Sequence, residues 1–460
     1  MTCRHFLEPD IDNRRGTAMR RTALALAIIF GVALGPARAQ SNPQFIAFQG
    51  VSKGALYRPD SGQAPHVGVL AMHRTANFLN HRACTELSRR GFLLLCMNTR
   101  YENNEAQVDF EKLPLDVKAG VEFLRRQAGI TKVVLFAHSG GGPLMSFYQA
   151  VAENGAVYCK GANKLTQCGD DLAGLVPADG IVFADAHPGN AINTLRSLNP
   201  AVANEDNPPD GPPIAALDMF DPKNGFNPNG PSHYSEEFQA RYFKAQADRM
   251  NRLIDIARDK LDRIKRNAYP YPDDDIMVIP RAGNPGAGAG ADARLFVTEP
   301  DIAVINSTSR PVKLVRNDGT IATQIVKSVF VANPSVARTN LRFRSGTKVF
   351  TLRSFLSAQA VRAGNAADDI DYCSTNNSTI CAVQSISVPV LFAAMGAHYF
   401  IRDNERQYDL AHSKDKDFVV IEGATHGFTP CEACATSPGQ YSNTVRNLFD
   451  YIAAWMNARF

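Results

Sequence analysis

The sequence has no basic stripe. Its 49 lysines and arginines nearly balance 45 aspartates and glutamates, leaving a formal charge of +4 with both signs spread along the chain. Nucleic acid is therefore not an expected partner. There is no internal repeat, so the blades of a propeller are not expected. No second His or Cys pair stands at ligand spacing from Cys431-x-x-Cys434, which argues against zinc. No metal or organic cofactor is implied. The most apolar run, Thr22 to Leu34, is too short to span a bilayer comfortably.

What is present bounds the fold. The chain has 460 residues, 45% hydrophobic and 20% charged, enough for one large domain with an insertion or for two domains. Arg20 and Arg21 precede the Thr22–Leu34 run, and Ala37-Arg38-Ala39 follows it. That order describes a leader and secretory signal over residues 1–39, cut after Ala39, with Met19 as a second possible start. A retained membrane anchor is the alternative. After cleavage the protein is expected to be secreted or periplasmic, with no stable membrane span.

Export implies oxidising surroundings, so the nine cysteines should sort into bridges. Cys3 lies in the leader. Cys84, in a helix pattern, and Cys96, in a strand pattern, read as lone thiols. Cys159 with Cys168, Cys373 with Cys381, and Cys431 with Cys434 form three local pairs. The last is read as structural rather than redox-active, because it lacks the strand-to-helix setting of a redox CxxC.

Along the chain, Phe45 to Tyr57 suggests a hairpin of edge strands. Buried strand patterns follow at Val67–Met72, Phe92–Met97, Lys132–Phe136 and Gly180–Ala184. They alternate with helix patterns at Ala76–Arg90, from Pro114 to Gly129, and at Pro143–Ala152. This rhythm indicates an α/β fold, a doubly wound and mostly parallel sheet. The sheet resumes at Val388–Phe392 and Asp417–Glu422, and a helix from Asn443 to Met456 closes the chain. Between them the rhythm breaks. A long amphipathic helix capped by Ser235, a flexible loop at Gly283–Gly290, and a hairpin around Asn317-Asp318-Gly319 are expected there. The core is thus assigned to 40–189 plus 386–460, and 190–385 to an inserted cap over the active-site end.

Chemistry concentrates at Ala137-His138-Ser139-Gly140-Gly141. A buried strand stops at one serine among small residues, and a helix starts at once. Such a turn lifts the hydroxyl clear of the main chain, and the Gly140 N–H is free to face an oxyanion. His426, in the tight loop Gly423-Ala424-Thr425-His426-Gly427, is placed to act as its base. His73, Ser139 and Asp185 all follow carboxyl ends of strands, where open α/β sheets bind ligands.

In these features the chain resembles the α/β-hydrolase family, over about 44–190 and 386–460. The motif usually begins with glycine, and here Ala137 stands in that place. The resemblance implies Ser139 as nucleophile, His426 as base, and an oxyanion hole made by the Gly140 N–H with an N–H of the His73-Arg74-Thr75 turn, assigned to Arg74. The family's acid usually follows the strand that ends here at Met395. That turn reads Gly396-Ala397-His398-Tyr399-Phe400, without a carboxylate. Some members carry the acid one strand earlier, where this chain has Asp185; Glu405 is the second candidate. His187 and His398 stand near the mouth and receive no role. A Cys431–Cys434 bridge would brace the His426 loop. The expected activity is hydrolysis of a small-molecule or lipid-like carboxylic ester through an acyl-enzyme. Amide or thioester cleavage, acyl transfer, and a non-catalytic binding protein on the same fold are the alternatives.

Overall fold

The computed structural model describes residues 43–50, 52–59, 64–205, 212–227, 232–282, 307–330 and 346–460. The leader, the expected signal sequence and the Gly283–Gly290 loop lie outside the described residues.

The chain's most apolar segments form the centre of a ten-stranded sheet in the order β1-β2-β4-β3-β5-β6-β11-β12-β8-β9. The middle strands are β3 (Val67–His73), β4 (Leu93–Asn98), β5 (Lys132–His138), β6 (Gly180–Ala184), β11 (Val390–Met395) and β12 (Lys416–Ile421). All six run parallel to their neighbours among them. Their near-continuous hydrophobicity follows from burial on both faces. Alternation sorts the side chains: Leu70, Met72 and Leu135 pack on one face with Val121 and Phe147. Val69, Ala71, Val134 and Phe136 pack on the other with Leu448 and Phe449.

Helices α2 (Leu113–Arg125) and α3 (Gly141–Asn154) cover the first face. The second is covered by α1 (Arg82–Ser88) and the terminal helix α6 (Thr444–Asn457). The edge hairpin β1 (Gln44–Ala47) and β2 (Lys53–Tyr57) is antiparallel, and β2 also pairs antiparallel with β4.

Three expectations need correction. Helix α1 begins at Arg82, not near Ala76, because the His81 backbone is extended (ψ 144°) and its ring caps the helix, accepting from the Ala83 N–H at 3.2 Å. Cys84 and Cys96 are not lone thiols. Helix α1 lies on β4, which brings the two to a Cα separation of 6.2 Å and joins them in a disulfide. The three local pairs are bridged as well, giving four disulfides that fit an oxidising compartment.

The third correction concerns residues 190–385, which are not purely a cap. Their hairpin β8 (Val312–Val315) and β9 (Ile321–Gln324) joins the main sheet, β8 pairing parallel with β12. Without it the β12 backbone would be an open edge. The rest of the segment has its own core. Helices α4 (Asn190–Ser197) and α5 (Glu236–Lys265) pack there with a two-stranded ribbon, β7 (Ile276–Ile279) and β10 (Lys348–Thr351). Ser235 caps α5 by accepting from the Phe238 N–H at 3.1 Å. Residues Ser41–Phe460 form one compact unit. Among the described residues no helix is long and apolar enough to cross a membrane.

Candidate active site

Three strand ends deliver the site, and each turn holds a non-glycine residue in the left-handed region. Ser139 follows β5 with φ +56°, Asp185 follows β6 with φ +48°, and Phe428, two residues past His426, has φ +70°. Each such conformation costs about 1–3 kcal/mol and persists only where the surroundings enforce it. At Ser139 the enforcement is steric. A Cβ on Gly140 would meet Arg74 Nη1 and His73 Nε2 at 2.5 Å, and one on Gly141 would meet the Met72 carbonyl oxygen at 2.5 Å. The start of α3 is pressed against the end of β3, so the chain turns sharply at the serine.

The turn brings three distant residues into one line. Ser139 Oγ lies 2.9 Å from His426 Nε2, and His426 Nδ1 lies 2.6 Å from Asp185 Oδ2. Asp185 is fully buried, and its Oδ1 accepts from the Met395 N–H at 3.4 Å. Burial alone would raise its carboxyl. The adjoining imidazoles of His398 and His426 outweigh that and hold it well below the usual carboxylate range. An anion at Nδ1 sets the His426 tautomer, with the proton on Nδ1 and the Nε2 lone pair turned to the serine. Glu405 is elsewhere. Both its oxygens accept from the Ser309 N–H at 2.9 Å, and Arg402 also pairs with it.

Two N–H groups beside the serine stay unengaged. Among the described residues neither the Arg74 nor the Gly140 N–H donates to a protein acceptor. The turn after β3 is rigid for reasons visible in its bonds. His73 Nδ1 accepts from Thr75 N at 3.1 Å and Ala76 N at 2.8 Å. The Arg74 side chain pairs with Glu105 through Nε at 3.2 Å and Nη2 at 2.6 Å. Its Nη1 lies 3.4 Å from His187 Nε2.

Six of the ten histidines gather at this end of the sheet: His73, His81, His138, His187, His398 and His426. Two of them form a support that sequence reasoning missed. The Ala83 N–H donates to His81 Nδ1 at 3.2 Å, so His81 carries its proton on Nε2. That N–H donates to His138 Nδ1 at 3.0 Å, and His138 Nε2–H donates to the His426 carbonyl at 2.8 Å. Burial, then the charges of Arg82 and His426, push His81 down to about 3, and burial holds His138 well below the usual range. Both are neutral near pH 7, which the chain of single protons requires. The one available signal was His138 itself, a polar residue ending the apolar run Val133–Ala137.

His398 sits in the turn after β11, with Nδ1 2.7 Å from Asp185 Oδ2. Burial lowers its pKa, against the opposing pull of Asp185. Cys431, bridged to Cys434, donates its N–H to the Gly423 carbonyl at 2.9 Å, so the bridge borders the His426 loop.

No protein-family model and no curated protein matches the sequence. Among solved structures the chain is similar to Est1E from Butyrivibrio proteoclasticus, at 10% identity over 91% of this chain and 99% of that one, TM-score 0.38. It is also similar to the alpha/beta hydrolase GrgF from Penicillium sp. sh18, at 10% identity over 91% and 98%, TM-score 0.40. Brefeldin A esterase, a bacterial homologue of human hormone-sensitive lipase, matches at 12% identity over 95% and 81%, TM-score 0.39. The chain's own topology is more telling. Its mostly parallel sheet carries a strained serine on a strand-to-helix turn, free N–H groups after that serine and after β3, and serine, aspartate and histidine in that chain order. These features together define one architecture, and the chain has the α/β-hydrolase fold.

Proposed function

We propose that the protein is an exported serine hydrolase that cleaves a carboxylic ester through an acyl-enzyme. The observation that carries this reading is the unbroken line from Ser139 Oγ through His426 to the buried Asp185, at 2.9 and 2.6 Å. Ser139 attacks the ester carbonyl while His426 Nε2 takes its proton. Asp185 stabilises the imidazolium that forms and keeps the ring in place. The carbonyl oxygen becomes an anion and accepts from the Gly140 and Arg74 N–H groups, aided by the N-terminus of α3. Each such donor contributes about 3–4 kcal/mol to the transition state. His426 then protonates the departing alcohol, and water repeats the sequence to release the acid.

Export is supported by the signal-like leader and by the four bridges. The substrate is a small-molecule or lipid-like ester. Its selection is assigned to residues 190–385 outside the β8–β9 hairpin, acting as a cap. A fluorophosphonate probe tests the reading. Labelling of the wild type that Ser139→Ala abolishes is expected. An unlabelled, folded wild type would leave a binding protein on a hydrolase scaffold.

A further inference from the structure

Asp185 carries two imidazoles, and the reaction described above uses one. The Nδ1 atoms of His426 and His398 lie 2.6 and 2.7 Å from the same oxygen, Oδ2. The ligand-type atoms of all three residues fall within 4.8 Å of one another. The two contacts differ in aim. His426 Nδ1 is aligned for a hydrogen bond, whereas His398 Nδ1, although buried, has no aligned partner among the described residues. The His398 ring stacks on His426 instead, with centroids 4.4 Å apart and planes 26° apart. A nitrogen this close to an anionic oxygen but aimed off the line between them makes a poor hydrogen bond. A cation shared by both atoms also sits off that line, at the apex of a triangle.

We propose that Asp185 Oδ2, His398 Nδ1 and His426 Nδ1 form an inhibitory site for a Zn2+-like transition-metal dication. The inhibitory part rests on the serine-hydrolase reading of the same residues. Two imidazoles and one carboxylate suit zinc or its neighbours rather than magnesium or calcium, which take oxygen ligands. Bonds of about 2.0–2.2 Å require donors roughly 3–3.5 Å apart, so small side-chain rotations suffice. The approach is open on one side, because the His426 side chain is 34% exposed.

The site would silence the enzyme through a tautomer. In the free enzyme His426 holds its proton on Nδ1 and offers the Nε2 lone pair to Ser139. A metal on Nδ1 takes that position, and the proton moves through water to Nε2. No electron is transferred, and the imidazole keeps one proton. Ser139 then faces an N–H and has no base.

Ser139→Ala keeps all three ligands and needs no activity, so the test begins there. Calorimetry with Zn2+ should give one site per chain, and Co2+ should develop visible ligand-field absorption. His398→Gln and His398→Phe in that background should each weaken Zn2+ binding at least about tenfold. Imidazole 15N spectra read the site without altering His398. Zn2+ should move the Nδ1 signals of His398 and His426 ahead of those of other histidines. Unchanged Zn2+ affinity in both variants, or nitrogen shifts confined to other histidines, overturns the proposal. In the wild type, saturating Zn2+ should block fluorophosphonate labelling, and a chelator should restore it; labelling that persists also overturns it. Should the metal-free enzyme never label, the hydrolase reading fails by itself, while calorimetry and nitrogen shifts still decide whether the metal binds.

Discussion

The pair His81 and His138 offers a quantitative test, because each tautomer in it is set by a named partner. His138→Leu removes the donor to the His426 carbonyl and the acceptor of the His81 Nε2–H. An orphaned buried polar group costs about 1–3 kcal/mol. The His426 loop is half-exposed, so water can serve its carbonyl in part, and a loss of about 2–4 kcal/mol is expected. His81→Leu leaves the His138 acceptor empty and removes the side-chain cap of α1, costing about 1–3 kcal/mol. The double variant loses their shared bond once, so it should be more stable than the sum of the singles predicts, by about 1–3 kcal/mol. Urea unfolding of the four proteins gives this coupling. Activity adds a second reading. The His81 ring acts through His138, which holds the His426 carbonyl and packs on the His426 ring with centroids 4.6 Å apart. kcat should therefore fall about 10–100-fold in His138→Leu with KM nearly constant. His138→Gln, whose amide can donate near the old Nε2 position, should recover most of that loss. Additive stabilities within about 0.5 kcal/mol, or a His138→Leu enzyme with full kcat, would refute the reasoning.

Asp185→Asn should lower kcat about 10^4-fold, whereas Glu405→Gln, whose partners are Ser309 and Arg402, should act on stability and spare the rate; an ester assay with thermal unfolding separates the two. Stability should fall steeply below pH 6.5. His81 keeps its proton off down to about 3 when folded but takes it up near 6.5 when unfolded, so its contribution, full above 6.5, is lost as pH falls through that window. His73, His138 and His187 share that direction, so pH-jump unfolding should show uptake of more than one proton between pH 6 and 5, and uptake of less than one would contradict their burial as neutral groups. Replacing Cys84 and Cys96 by alanine should cost about 2–4 kcal/mol, and thiol titration of the unreduced, denatured protein should find neither sulfur free.

Much of the core could be read from residue order. The strands ending at His73, His138, Ala184 and Met395 are runs of mostly apolar residues, and a doubly covered sheet buries such runs on both faces. The Ser235 cap and the Asn317-Asp318-Gly319 hairpin were equally plain, since each depends on neighbours within a few residues. The errors share a cause. Helix α1 starts late because His81, extended in its backbone and held by the His138 ring, caps it. Cys84 and Cys96 meet only because α1 lies on β4. The β8–β9 hairpin joins the sheet because β12, about a hundred residues later, would otherwise present an open edge. Each depends on a partner that local pattern cannot see.

The same division runs through the site. By itself the sequence determined that a serine would stand on a strained turn and that a histidine would follow the last parallel strand. Both show as patterns of five or six residues: a serine among small residues between strand and helix, and a histidine in a tight loop after an apolar run. Only the tertiary structure decided between Asp185 and Glu405 as the neighbour of that histidine, placed His398 on the same carboxylate, and joined His81 to His138 behind it. Those choices depend on which strand ends lie side by side, and strand order is set by packing across the whole sheet.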